Sequence, residues 1–134
     1  MPIRLPTNCP VHEFYHTTVW IKNEIVFGKY KRDLVIDLQV AKDIVADRMK
    51  ISNGIVRPFF IDVTGLLSID TEGRKYLADE GCGLVSAGAI YTENKLLVFV
   101  ANAFILLDKP SIPAKVFTSE ETAIRWLEPF KFPN

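Results

Sequence analysis

The sequence predicts an α/β fold, with an N-terminal hairpin followed by strand-helix units that build a mostly parallel sheet with packed helices. Three observations carry this prediction. Two runs rich in β-branched and aromatic residues, "HEFYHTTVWIK" and "EIVFGKY", are separated by Asn23-Glu24, the pattern of two strands and a tight turn. "FFIDV" is a short apolar run between Pro58 and Gly65, as expected of a central strand covered on both faces. After the first helix the chain repeats strand then helix three times, and right-handed crossovers make such strands parallel.

The elements follow in order. "DLQVAKDIVADRMK" places Leu38, Ala41, Val45 and Met49 on one stripe, with Asp37 as the cap and Asn53-Gly54 as the stop. Asp70 to about Glu80 reads as a helix with Tyr76 and Leu77 inward, broken by Gly81 and Gly83. "SAGAIYT" is a strand, small at its start, and Asn94 caps an apolar helix through Leu107. "AKVFT" follows Pro110 and Pro113 as a last strand. In the next segment Thr118-Ser119-Glu120-Glu121 offers a capping box, with Thr118 accepting from the Glu121 backbone. Ala123, Ile124 and Leu127 form the buried side of that final helix, which Pro129 ends.

Composition limits the function classes. A chain of 134 residues reads as a single domain over 1–134, with residues 1–10 loosely ordered. Sixteen basic and sixteen acidic residues balance, so no overall field draws the chain to nucleic acid or an anionic membrane. Cys9 and Cys82 form no C-x-x-C pair, which argues against a disulfide framework or a cysteine-rich zinc site and fits a reducing cytoplasm. The first residues lack the apolar core of an export signal. Leu96 to Leu107 falls short of the roughly 20 residues that cross a bilayer, so membrane insertion is not expected.

In a sheet of this kind the segments after the strands gather along one edge. Asp70-Thr71, Thr92 to Asn94, and Thr118-Ser119 are then expected to place three polar helix caps on one rim. An apolar strand, a short loop and Asp-Thr-x-Gly at a helix start, here Asp70, Thr71 and Gly73, resemble the STAS domain, the SpoIIAA-like fold of anti-sigma-factor antagonists and sulfate-transporter tails. The stretch "LLDKPSIPAKVFTSEETAIRWL" is similar to small stand-alone bacterial STAS-like proteins of unassigned function. The resemblance implies that Thr71 is a phospho-acceptor whose modification controls protein binding. The rim expected to meet a partner comprises Asp70, Glu72, Gly73, Arg74, Asn94 and Ser119. Glu72 and Arg74 depart from the family pattern, which has a small hydroxyl residue and an apolar residue there.

The residues themselves support a simpler account beside that one. Asp70 is a sufficient N-cap, Glu72 satisfies the helix dipole, and Gly73 is a point of close approach. His12 and His16 would share a strand face within reach of a metal, but no third ligand follows, so no metal site is expected. Asp62 is a functional carboxylate or a bond to neighbouring backbone. Cys82, between two glycines, is more simply a packed small residue than a redox thiol. No P-loop, G-x-S-x-G elbow or dinucleotide fingerprint is present, so neither a cofactor nor catalysis is expected. The first functional expectation is a non-enzymatic, cytoplasmic domain that binds another protein. The alternative is a protein that holds an apolar or nucleotide ligand, and an uncharacterised enzyme comes third. Val98, Phe99, Ala103 and Leu106 decide between a homodimer surface and a ligand surface, according to whether they meet a second subunit or line a cavity.

Overall fold

The structure is a computed structural model and describes residues 3–133. Its strands are β1 (Val11–Glu13), β2 (Thr17–Lys22), β3 (Ile25–Tyr30), β4 (Leu34–Ile36), β5 (Arg57–Asp62), β6 (Leu66–Ile69), β7 (Val85–Tyr91) and β8 (Ala114–Phe117). The helices are α1 (Leu38–Ser52), α2 (Thr71–Ala78), α3 (Lys95–Asp108) and α4 (Glu120–Leu127). Six strands form one sheet in the order β1-β2-β3-β5-β7-β8, antiparallel through β3 and parallel from there to β8. This is the mixed α/β architecture expected from the sequence.

The hairpin between β2 and β3 turns on two residues. Asn23 and Glu24 both have positive φ, 52° and 63°, the backbone that lets a two-residue turn follow the strand twist. The expected first strand is in fact two. Phe14 donates to the Thr17 carbonyl at 2.8 Å and folds the chain back, so His12 lies on β1 and His16 in the turn. His16 instead lies 3.6 Å from Asp43 of α1.

Two further strands had no counterpart in the sequence reading. β4 and β6 are short and pair in parallel as a separate two-stranded ribbon. Leu34 donates to Gly65 and Asp70 to Ile36, each at 3.0 Å, which closes both ends of the ribbon. Gly65 is required there, because a Cβ would stand 2.4 Å from the Lys31 carbonyl oxygen.

The sheet separates two cores. On one face Phe60, Ala89, Tyr91 and Phe117 meet Ala123 and Leu127 of α4. Trp20, Phe27, Phe60 and Tyr91 run across this face with successive ring centroids 5.5, 5.2 and 5.5 Å apart. Such pairs add about 0.5–1.5 kcal/mol each beyond area burial. On the other face Tyr30 and Ile61 meet Ile36, Ala41 and Ile44.

Two local expectations need correction. The buried side of α1 is Ala41, Ile44, Val45, Arg48 and Ser52, with Leu38 and Met49 only half-buried. Arg48 is tolerated inside because it donates to the carbonyls of Gly81 at 2.8 Å and Gly83 at 3.0 Å. Ser119, not Thr118, caps α4, accepting from Thr122 N at 3.3 Å. Near the start of the chain Ile3 is 4% exposed and donates to Asp62 Oδ2 at 2.9 Å. Residues 1 and 2 lie outside the described residues.

Candidate functional site

The opening turn of α2 is built by local bonds. Asp70 Oδ1 accepts from Gly73 N at 2.8 Å and satisfies one of the helix's unpaired amides. Gly73 is buried because α2 presses on β4, and a Cβ there would stand 3.1 Å from Ile36 Cγ2. Thr71 and Glu72 are both exposed. Arg74 turns the other way. Its Nε donates to Asp108 Oδ2 at 3.0 Å, while its Nη2 donates to Thr71 Oγ1 at 3.4 Å. Asp108 is shielded, with its side chain 5% exposed, so this ion pair ties α2 to the last turn of α3.

The other expected rim residues sit elsewhere. Asn94 Oδ1 caps α3 through Leu97 N at 3.1 Å, and Ser119 caps α4. β5, β7 and β8 end in register at Asp62, Tyr91 and Phe117, so Asn94 and Ser119 follow the same sheet edge. The 14 residues of α3 span about 21 Å, and Arg74 and Asn94 attend its opposite ends. No hydrogen bond or ion pair joins Asp70 to Arg74 with Asn94 or Ser119 among the described residues. The reason is β6, which stands between β5 and α2 and seats the first turn of α2 on β4.

Helix α3 has apolar residues on both sides. Leu97 and Ala101 are buried inward, and with Val100 and Phe104 they line a cavity of about 130 Å³ above the sheet. Leu96, Phe99, Leu106 and Leu107 point outward and are each about 70% exposed. Of the residues expected to discriminate dimer from ligand, Phe99 and Leu106 are on this outer face, Val98 and Ala103 are half-buried, and none of the four lines the cavity. The side chains that do were absent from the sequence reading of the site. Their signal was the continuous oiliness of α3, too apolar for one buried face.

Arg48 lies 5.3 Å above the Phe59 ring, and burial lowers its pKa. Tyr30, nearby and lining the cavity, is pushed up to about 12 by burial, against the pull of Arg48 toward the phenolate. Cys82 also lines the cavity, with Sγ 3.3 Å from the Ala78 carbonyl. Asp62 is fully buried and accepts from Ile3 N, Thr64 N and Thr64 Oγ1, which is a structural use of all its oxygens. No group of three or more metal-binding side chains occurs among the described residues, and no helix among them is long and apolar enough to cross a membrane.

Comparison with known proteins agrees with this architecture. A family model described as "Domain of unknown function (DUF7793)" matches residues 19–131. A search of curated proteins finds no match. Among solved structures, the chain is similar to the crystal structure of an uncharacterized protein from the DUF3478 family with a SpoIIAA-like fold, from Shewanella loihica PV-4. The two share 14% identity and a TM-score of 0.58, over 92% of this chain and 98% of that one. At that identity the likeness shows the fold, which is SpoIIAA-like.

Proposed function

Because this chain belongs to the DUF7793 family and has the SpoIIAA-like fold, neither of which brings an activity, we propose from the geometry that it is a non-enzymatic protein-binding domain of STAS type that pairs with a second copy of itself through α3. The observation that carries this reading is the stripe of exposed Leu96, Phe99 and Leu106 with the half-buried Ala103 between them. Its spacing of three, four and three residues is that of a helix-packing seam.

The stripe is also self-complementary. In an antiparallel pair with its two-fold axis level with Ala101, Leu96 faces Leu106 of the second copy and Phe99 faces Ala103. A large ring opposite a small side chain lets the helices close without a void. Light scattering with size exclusion tests the pairing: dimer is expected at micromolar concentration, and Phe99→Asp is expected to give monomer with unchanged circular dichroism. A monomeric parent protein at that concentration overturns it.

A second reading concerns control, and Arg74 favours it. A phosphate on Thr71 would bring a charge of roughly −1.5 to −2 to the side chain that now holds Asp108. It would also gain from the positive end of α2. Phosphorylation would then draw Arg74 away and free the end of α3 that the interface uses. This supports Thr71 as a switch for exchanging the second copy for another protein, in a reducing cytoplasm that leaves Cys9 and Cys82 as thiols. Phosphoproteomics of native cells, with a Thr71→Ala control, is expected to find the modification, and its absence under all conditions counts against the switch.

A further inference from the structure

The inner face of α3 raises a separate question. A half-open cleft of about 130 Å³ lies between α2, α3 and the sheet. Phe59 and Ile90 lie on β5 and β7, the central parallel strands, and both are only half-buried where the cavity reaches them. Helix α3 rests on β8 and α2, which bridges the gap without filling it. Each wall side chain therefore lacks the dispersion contacts that a packed partner would give.

Three polar side chains interrupt the apolar wall: Arg74, Cys82 and Tyr30. Arg74 is engaged by Asp108, and the Cys82 thiol lies against the Leu77 and Ala78 carbonyls. Tyr30 differs. It is 9% exposed, and its hydroxyl makes no hydrogen bond among the described residues. Thr17 Oγ1 is the one sealed and unsatisfied side-chain atom among those residues, so the Tyr30 oxygen opens onto space rather than into protein. A hydroxyl so placed has both its donor and its acceptor available to a guest.

We propose that this cavity binds a neutral single-ring molecule bearing one hydroxyl or carbonyl group, which the apolar walls hold and Tyr30 anchors. Size sets the ring: an apolar cavity of about 150 Å³ has room for benzene. Charge is excluded because the cavity's one basic side chain, Arg74, is already paired, and an ionised ligand would lose its hydration without compensation. With its pKa at about 12, Tyr30 remains a protonated phenol at neutral pH and offers both a donor and an acceptor. The site is on the opposite side of α3 from the pairing stripe, so it stands or falls independently of the dimer.

Phenol, benzene and benzoate titrated separately into 15N-labelled protein test the proposal. Phenol and benzene are expected to saturate and to shift the amides of Phe59, Ile90, Val100 and Ala101, whereas benzoate shifts none of them. Tyr30→Phe is expected to weaken phenol roughly 3- to 10-fold, the worth of one hydrogen bond, and to leave benzene within about twofold. Ala101→Leu fills the cavity from the helix side and Ile90→Phe from the sheet side, and either one, folded by circular dichroism, is expected to abolish binding of both rings. No saturable shift with either neutral ring overturns the proposal. So does benzoate binding as tightly as phenol, phenol binding unchanged in Tyr30→Phe, or ring binding that survives in a folded cavity-filling variant.

Discussion

Asp62 shows how one buried carboxylate can organise distant parts of the chain. It is fully buried at the end of β5, and Ile3 N at 2.9 Å, Thr64 N at 2.9 Å and Thr64 Oγ1 at 2.6 Å all donate to it. Removing the acceptor strands Ile3 N and Thr64 N, while Thr64 Oγ1 keeps Thr92 Oγ1 at 3.2 Å, so Asp62→Ala is expected to cost about 2–3 kcal/mol, read by urea unfolding. A loss below about 0.5 kcal/mol would mean that these bonds contribute nothing net. Arg74 has a comparable role between helices. Its side chain is 28% exposed and that of Asp108 is 5% exposed, so Arg74→Ala leaves a shielded carboxylate unpaired. Solvent screening on the arginine side limits the expected cost to about 1–2 kcal/mol. The double variant Arg74→Ala/Asp108→Ala is expected to be no less stable than the single one, and a further additive loss would show that the pair does not act as a unit.

At the scale of elements, α2 has only eight residues and depends on its cap and its contact with β4. Asp70→Ala is expected to cost about 1 kcal/mol of global stability. Gly73→Ala tests the contact, because alanine favours a helix by about 1 kcal/mol yet its methyl would stand 3.1 Å from Ile36 Cγ2 and 3.2 Å from the Ile36 carbonyl oxygen. Net destabilisation is expected, and a raised melting temperature would show that α2 can move off β4 freely. The caps Asp37, Asp70 and Asn94 were legible in the sequence because a cap is decided within three residues. At Thr118-Ser119 two adjacent hydroxyls competed, and the local pattern favoured the wrong one. β4 and β6 were not legible, since each is too short to show a period and exists by pairing with a segment some thirty residues away. The same holds for the site. Thr71 and Asp70 could be picked out from a motif, but the link from Arg74 to Asp108 and the arrival of Tyr30 at the cavity depend on how separate elements pack.

For the whole molecule, both cores bury a tyrosine, and this makes stability depend on pH on the alkaline side. Burial raises Tyr30 to about 12, and burial with the bond from Tyr91 Oη to Glu93 Oε2 at 3.0 Å raises Tyr91 to about 12. In the unfolded chain both titrate near 10. Between those values the unfolded state has released the phenolic proton and the folded state has kept it, so the folded state binds more protons and stability falls as pH rises. The contribution is complete below pH 10 and is lost by about pH 12. For Tyr30 its size is on the order of 2–3 kcal/mol. A variant that lacks the phenol isolates the effect. Urea midpoints at pH 9 and pH 11.5 are therefore compared between the parent and Tyr30→Phe, which keeps the ring and removes the proton. The parent is expected to lose more stability over this interval, by about 1–2 kcal/mol, because the phenylalanine variant has nothing to titrate at that position. Equal losses in the two proteins would mean that the Tyr30 phenol ionises as readily inside the fold as in water, and that the cavity beside it is wet.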